Sequence, residues 1–164
     1  MKMEIRQLGE KDMEVLLTLR MEVLSHVFAE ERKNMAAAEW EALREANRRY
    51  YLAELKRNGH IACIALADGK IAGCGGICLY EEMPSPDNPG GLCGYLMNIY
   101  TRENYRKQGI ARLVCEWLIQ KAKARGAGKI YLETSACGKS LYQSLGFHEM
   151  RDYLKLDEDT AALE

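Results

Sequence analysis

Tyr100-Thr101-Arg102-Glu103-Asn104-Tyr105-Arg106-Lys107-Gln108-Gly109-Ile110-Ala111-Arg112-Leu113-Val114-Cys115-Glu116-Trp117-Leu118 reads as the end of a strand, a glycine-bearing turn and the start of a helix. Ile110, Leu113, Val114, Trp117 and Leu118 recur at i, i+3, i+4, i+7 and i+8, so a helix begins close to Gly109 and buries one face. Its first N–H groups have no carbonyl partner inside the helix, and with the helix dipole they favour a bound anion such as phosphate. Gly109 permits close backbone approach, and Arg106 and Lys107 add positive charge at the same mouth. A glycine at a helix start also serves plain packing, so Gly109 alone leaves both readings open.

Working outward, an apolar run Leu96–Tyr100 precedes the turn, and Gly126 and Gly128 stop the helix near Arg125. Lys129–Thr134 is then a strand. Strand, helix and strand of this length make one βαβ unit with parallel strands. Upstream, residues 3 to 8 read as a short first strand, Asp12 as an N-cap, and Leu16, Leu19, Val23 and Val27 as a helix to about Phe28 that Glu30–Asn34 ends. Met35–Lys56 is a long, wet-faced helix closed by Asn58-Gly59. Ile61–Ala67 and Lys70–Tyr80 are strands joined by an Asp68-Gly69 hairpin turn, and Cys74-Gly75-Gly76 bends the second or admits close approach. Met83–Gly91, with all three prolines, reads as the one flexible insertion. Cys93–Thr101 is a strand, Ser140–Leu145 a short helix and Phe147–Leu156 a final strand.

A chain of 164 residues, 48% hydrophobic, is about one domain, taken as 1–164. With 23 basic against 24 acidic residues the formal net charge is -1, so no overall field favours nucleic acid or an anionic membrane, and anion affinity must be local. The charged start, Met1-Lys2-Met3-Glu4-Ile5-Arg6, and the lack of any run near ~18 apolar residues predict a soluble, cytoplasmic protein. Six cysteines at 63, 74, 78, 93, 115 and 137 form no C-x-x-C pair, which argues against a zinc or disulfide framework and for buried reduced thiols. Cys137, in the turn before Tyr142, is the one placed where a nucleophile could act. A P-loop Lys-Ser/Thr or a full dinucleotide fingerprint, which an unrelated nucleotide-binding module would carry, is missing.

Arg106-Lys107-Gln108-Gly109-Ile110-Ala111 resembles the phosphate loop of the GNAT acyltransferase superfamily: Arg or Gln, two residues, Gly, one residue, then Gly or Ala. Downstream, Leu141-Tyr142-Gln143-Ser144-Leu145-Gly146-Phe147 is similar to that family's second signature, a Tyr followed four residues later by Gly-Phe. The element order β, α, α, β, β, β, α, β, α, β matches over about residues 3 to 156. The resemblance implies an α/β fold, the acyl-CoA N-acyltransferase fold: one mixed, mostly antiparallel sheet with a central parallel βαβ unit flanked by helices.

It further implies acetyl-CoA as acyl donor. Arg106, Lys107, Gln108, Gly109, Ile110 and Ala111 would hold the pyrophosphate, and backbone groups of Ile99 and Thr101 the pantetheine arm and thioester carbonyl. The two parallel strands would part after Thr101 and Thr134. Tyr142 takes the part of the general acid that protonates the leaving thiolate; it also reads as a core tyrosine of the short helix. The general base stays open among Glu133, Glu81, Glu82, Glu30, Glu31 and a water relay, since Tyr95–Thr101 holds no Asp or Glu. His26 and His60 can titrate near neutrality but also read as structural. Ser135 stands where many members carry Asn. The expected function is transfer of acetyl to a primary amine of a small molecule or peptide, with a catalytically silent acyl-CoA sensor as the alternative. No metal, nucleic acid or membrane partner is expected, and a homodimer is left open.

Overall fold

The computed structural model describes residues 1–157, in two compact units, Met1–Glu133 and the remainder from Thr134. The first contains β1 (Met3–Leu8), α1 (Met13–Val27), α2 (Ala29–Asn34), α3 (Ala37–Lys56), β2 (His60–Ala67), β3 (Lys70–Glu81), β4 (Leu92–Thr101), α4 (Ile110–Ala124) and β5 (Lys129–Leu132). The second contains α5 (Lys139–Ser144).

The strands form one mixed sheet in the order β1-β2-β3-β4-β5, antiparallel except for the parallel pair β4–β5. The hairpin turn sits where expected: Asp68 (φ 48°) and Gly69 (φ 78°) both take the left-handed conformation that the twist of a tight hairpin needs. Helix α4 seals one face through Ile110, Val114, Cys115, Leu118 and Ala122, all buried and spaced for one helical stripe. A Cβ on Gly75 would strike Val114 and Leu118 of α4, whereas one on Gly76 would strike the ring of His60. Successive strand residues face opposite ways, so His60 belongs to the other face. There α1 and α3 pack together over Leu16, Leu17, Leu19, Val23 and Tyr51. The Cys74-Gly75-Gly76 run is thus a close-approach site, and the sheet has a register shift beside it.

Several boundaries and one element depart from the sequence reading. Asp12 does not cap α1 with its side chain; its carboxylate accepts the Gly9 N–H at 2.9 Å in a 3-10 turn, Glu10–Asp12. Glu30–Asn34 does not merely end α1. Phe28 breaks the helix at ψ 44°, and Ala29–Asn34 winds another turn carrying a Lys33–Glu30 pair at 2.8 Å. The insertion Met83–Gly91 is pinned rather than loose: Asn88 is buried and donates to the Leu92 carbonyl at 3.1 Å.

The final strand is not formed. Phe147–Leu156 has no strand; it turns at Arg151-Asp152, and Glu149 is held by Lys139 at 2.5 Å. Leu154 is 100% and Leu156 79% exposed, so the segment has no buried face to offset the entropy of straightening. Among the described residues β5 is therefore an edge strand, and the parallel pair lies at one side of the sheet rather than at its centre.

Candidate active site

The pairing of β4 with β5 ends at Leu96–Leu132, five residues short of where the sequence reading parted them, while β4 runs on to Thr101. This difference follows from length, since β5 has only four residues. Beyond Leu96, β4 keeps β3 on one side through Tyr100–Cys74 and Thr101–Gly73. Arg102 donates its N–H to the Ala72 carbonyl at 2.8 Å, toward β3. Backbone groups alternate sides along a strand, so those of Thr101 and Ile99 face the edge that β5 has left. The Thr101 carbonyl accepts the Arg106 guanidinium at 3.3 Å, and Thr101 Oγ1 is buried without a partner among the described residues.

The turn after β4 aims further backbone donors at one spot. Lys107 (φ 58°) and Gly109 (φ 81°) are left-handed, with α4 starting at Ile110. The first bond closing the helix runs from Leu113 N–H to the Gly109 carbonyl at 3.0 Å. Among the described residues no acceptor takes the N–H groups of Lys107, Gln108, Gly109, Ile110 or Ala111. Left-handed residues alternating with right-handed ones turn successive N–H groups into one anion-binding concavity. Nothing lies within 4 Å of a Cβ built on Gly109, so the packing reading of this glycine fails; its backbone conformation is what needs it. The open space, the free amides, and the exposed Arg106 and Lys107 fit a diphosphate.

In the second unit, Gly146 (φ 100°) ends α5 and lets Phe147 donate its N–H to the Tyr142 carbonyl at 3.0 Å. That six-to-one bond folds Phe147 back on Tyr142, their rings 6.1 Å apart edge to face. The Tyr-x-x-x-Gly-Phe spacing is thus a helix stop that fixes the tyrosine ring. Cys137 is exposed, with Sγ 3.3 Å from Ser135 Oγ.

Of the candidate bases, Glu81, Glu82, Glu30, Glu31 and Glu133 are all exposed. Glu82 is tied to Lys129 at 3.2 Å, which holds its carboxyl below the usual carboxylate range, and Glu30 is tied to Lys33. His26 packs its ring 5.4 Å from Tyr100, and its Nδ1 lies 2.9 Å from the Glu22 carbonyl. His60 is 6% exposed, pairs through Nδ1 with Tyr50 Oη at 2.8 Å, and is pulled down to about 4 by burial. It stays neutral. Burial likewise pushes the thiols of Cys63, Cys74 and Cys115 up to about 12, so they are inert small hydrophobes.

Sequence reasoning missed the polar cluster beneath β4. Asn98 takes φ 59° where β4 has one more residue than β3 between Met97 and Tyr100, a bulge. Arg20 of α1 donates to Asn98 Oδ1 at 3.0 Å and to Asn47 Oδ1 of α3 at 3.1 Å. With Tyr50, His60 and Met97 these residues line a cavity of about 240 Å³. The available signals were an Asn inside the apolar run Leu96-Met97-Asn98-Ile99 and an Arg between Leu19 and Met21.

A donor-lined turn at the start of a helix, beside a strand stripped of its parallel partner, defines a protein that binds an extended phosphate-bearing cofactor. The model of the acetyltransferase (GNAT) family matches residues 22–147, and the chain belongs to that family. It is an acyltransferase and uses acetyl-CoA. The predicted acetyltransferase of Clostridium acetobutylicum, crystallised with acetyl-CoA, is 26% identical over 95% of this chain and 96% of its own, with a TM-score of 0.80. AAC(6')-Iy, bound to the bisubstrate analogue CoA-S-monomethyl-acetylneamine, shares the fold at TM-score 0.70 and 18% identity over 96% of this chain and 99% of its own. The [ribosomal protein bS18]-alanine N-acetyltransferase of Escherichia coli K12 is 39% identical over 57 residues, 33% of this chain and 38% of that enzyme's length.

Proposed function

We propose that the protein transfers the acetyl group of acetyl-CoA to a primary amine of a small molecule or peptide. The observation that carries this reading is the row of amides from Lys107 to Ala111, at the start of α4, that find no acceptor among the described residues, with free space over Gly109. Arg106, Lys107, Gln108, Gly109, Ile110 and Ala111 hold the pyrophosphate, the amides by hydrogen bonding and the two cations by charge. The backbone of Ile99 and Thr101 binds the pantetheine amides as an added strand would, along the edge that β5 leaves open.

Acetyl-CoA supplies a thioester whose carbonyl carbon is open to attack by a neutral amine. The protein aligns the reactants, and the Ile99 N–H steadies the charge that develops on the carbonyl oxygen. Tyr142 donates its phenolic proton to the departing sulfur. The exposed state of every candidate carboxylate supports water as the carrier of the ammonium proton. On the same reading residues 1–164 work as one N-acetyltransferase domain in the cytoplasm, a setting that suits six unbridged cysteines.

Thermal denaturation with CoA tests the reading. A ligand bound only by the folded state raises the melting temperature by mass action, by an amount that grows with its concentration. Acetyl-CoA and CoA should do so, and unrelated dinucleotides should not. No shift at millimolar CoA would sink the site assignment.

A further inference from the structure

The cavity under the β4 bulge has an unusual charge balance. Among the described residues Arg20 is its one permanently charged lining group, and the two partners of Arg20, Asn47 and Asn98, are neutral amides. Among the described residues no carboxylate pairs with it, and burial pulls the guanidinium below its ordinary value. The neighbours cannot supply the missing charge. His60 is neutral, and burial raises the Tyr51 hydroxyl to about 12 and Tyr50 higher still, so neither becomes a phenolate near neutrality. Removing a guanidinium from water without an anion is costly, and such a site gains most from a ligand that brings one. The Asn side chains meanwhile fix the guanidinium from two sides, leaving Nη2 without an acceptor among the described residues.

We propose that this cavity seats the carboxylate of the acceptor, so that the enzyme acetylates small amino-carboxylates of the free amino-acid type, with Arg20 gripping the carboxylate and the amine facing the bulge. The inference rests on the acetyltransferase reading above and names its substrate class. A carboxylate suits the site better than a phosphate, because a dianion would meet one cation only. About 240 Å³ also suits a residue-sized group rather than a drug-sized one. Asn98 directly precedes Ile99, so a ligand held by Arg20 lies beside the segment assigned to the thioester carbonyl. In the transfer the amine nitrogen bonds the acetyl carbon while the carbon–sulfur bond breaks. The nitrogen loses one proton, and the sulfur leaves as the thiol of CoA.

The test is thiol release from acetyl-CoA with the twenty α-amino acids, β-alanine and γ-aminobutyrate, each beside its carboxamide at equal free-base concentration. The best amino acid should exceed its carboxamide in kcat/KM by roughly 10- to 100-fold, the range for a hydrogen-bonded charged group. Arg20→Gln should bring that ratio near one through KM, and Arg20→Lys should restore part of it. The melting shift with CoA should persist in both variants. Carboxamides or free peptide N-termini used as well as free amino acids would overturn the proposal, and so would an unchanged ratio in Arg20→Gln. A folded, CoA-binding protein that turns over no member of the panel would overturn it too, while leaving the acetyl-CoA reading intact. Absence of any CoA shift would instead strike that reading itself.

Discussion

Two adjoining stretches at the C-terminal end of β4 are built on different chemistry. From Ile99 through the turn to Ala111 the site consists of backbone: left-handed Lys107 and Gly109, and, among the described residues, amides without an acceptor and an open strand edge. Just before it, at Asn98, it consists of side chains: Arg20 of α1 donates to Asn98 and to Asn47 of α3, and Tyr50 of α3 pairs with His60 of β2 beside them. On the proposed reading the backbone stretch serves one invariant ligand and tolerates changes in side chains, whereas the side-chain stretch sets which acceptor is chosen. The first should therefore break only when the backbone or its open space is altered, and the second should break residue by residue.

The largest effect is expected from Gly109→Glu. It puts bulk and negative charge into the space now empty over the amides, so the CoA-induced melting shift should disappear and turnover fall below detection. Forcing φ 81° on a residue with a Cβ costs about 1–2 kcal/mol, which the unliganded protein survives if its total lies in the usual range. A folded variant with unchanged CoA affinity would contradict the backbone account. By contrast Lys107→Ala, which leaves the amides in place, should weaken CoA binding only a few-fold by calorimetry.

Tyr142→Phe follows in size. It keeps the ring that packs on Phe147 and removes the proposed proton donor, so turnover should fall by about 10²- to 10⁴-fold with CoA affinity nearly unchanged. A purely structural tyrosine would leave the rate within a few-fold and shift stability by no more than about 1 kcal/mol. Rate and melting temperature measured on one preparation separate the two.

Why one half of the site was legible and the other was not follows from the same contrast. A phosphate turn is local: a charged pair, a glycine and a helical stripe sit within a dozen residues, and the needed conformation is written in the glycine. The Tyr142–Phe147 clasp is local as well, through Gly146. Arg20, Asn47 and Asn98 meet across separations of 27 and 78 residues, and no short-range periodicity announces that meeting. The five strands, the Asp68-Gly69 hairpin and the parallel β4–β5 pair were readable from the sequence, but the length of that parallel pairing and the path of the last segment were not. Phe147–Leu156 reads as a strand in the sequence, yet Leu154 and Leu156 stay exposed and it forms no ladder.

His60 offers a pH test of the side-chain half. Its folded value of about 4 lies below the ordinary 6.5, so the unfolded chain takes up the proton first as pH falls. The contribution is intact above 6.5 and is lost progressively between 6.5 and 4. At pH 4.5 the loss should amount to roughly 2–3 kcal/mol, since each tenfold difference in proton affinity between the folded and unfolded chain is worth ~1.4 kcal/mol. Urea midpoints of the wild type and His60→Gln, compared at pH 7.5 and 4.5, should converge by about that amount, because the variant has no imidazole to charge.

The smallest effect belongs to the ion pair that joins α1 to the end of β4. Arg102 grips Glu22 in a two-pronged contact at 3.0 and 2.8 Å and donates to the Ile71 carbonyl at 3.2 Å. The Arg102 guanidinium beside Glu22 holds the carboxyl below its ordinary 4.5. A depressed carboxylate stabilises the fold above the unfolded value and loses that contribution as pH falls through the lower, folded one. The Arg102 side chain is 36% exposed, so water screens the pair and about 1 kcal/mol is the expected size. Glu22→Gln should lower stability by that amount at pH 7, and the difference from the wild type should shrink as pH falls below 4.5. The CoA shift should be untouched, because no amide of the turn is involved; a Glu22→Gln protein that lost CoA binding would show that the α1 contact, and not the turn alone, sets the backbone site.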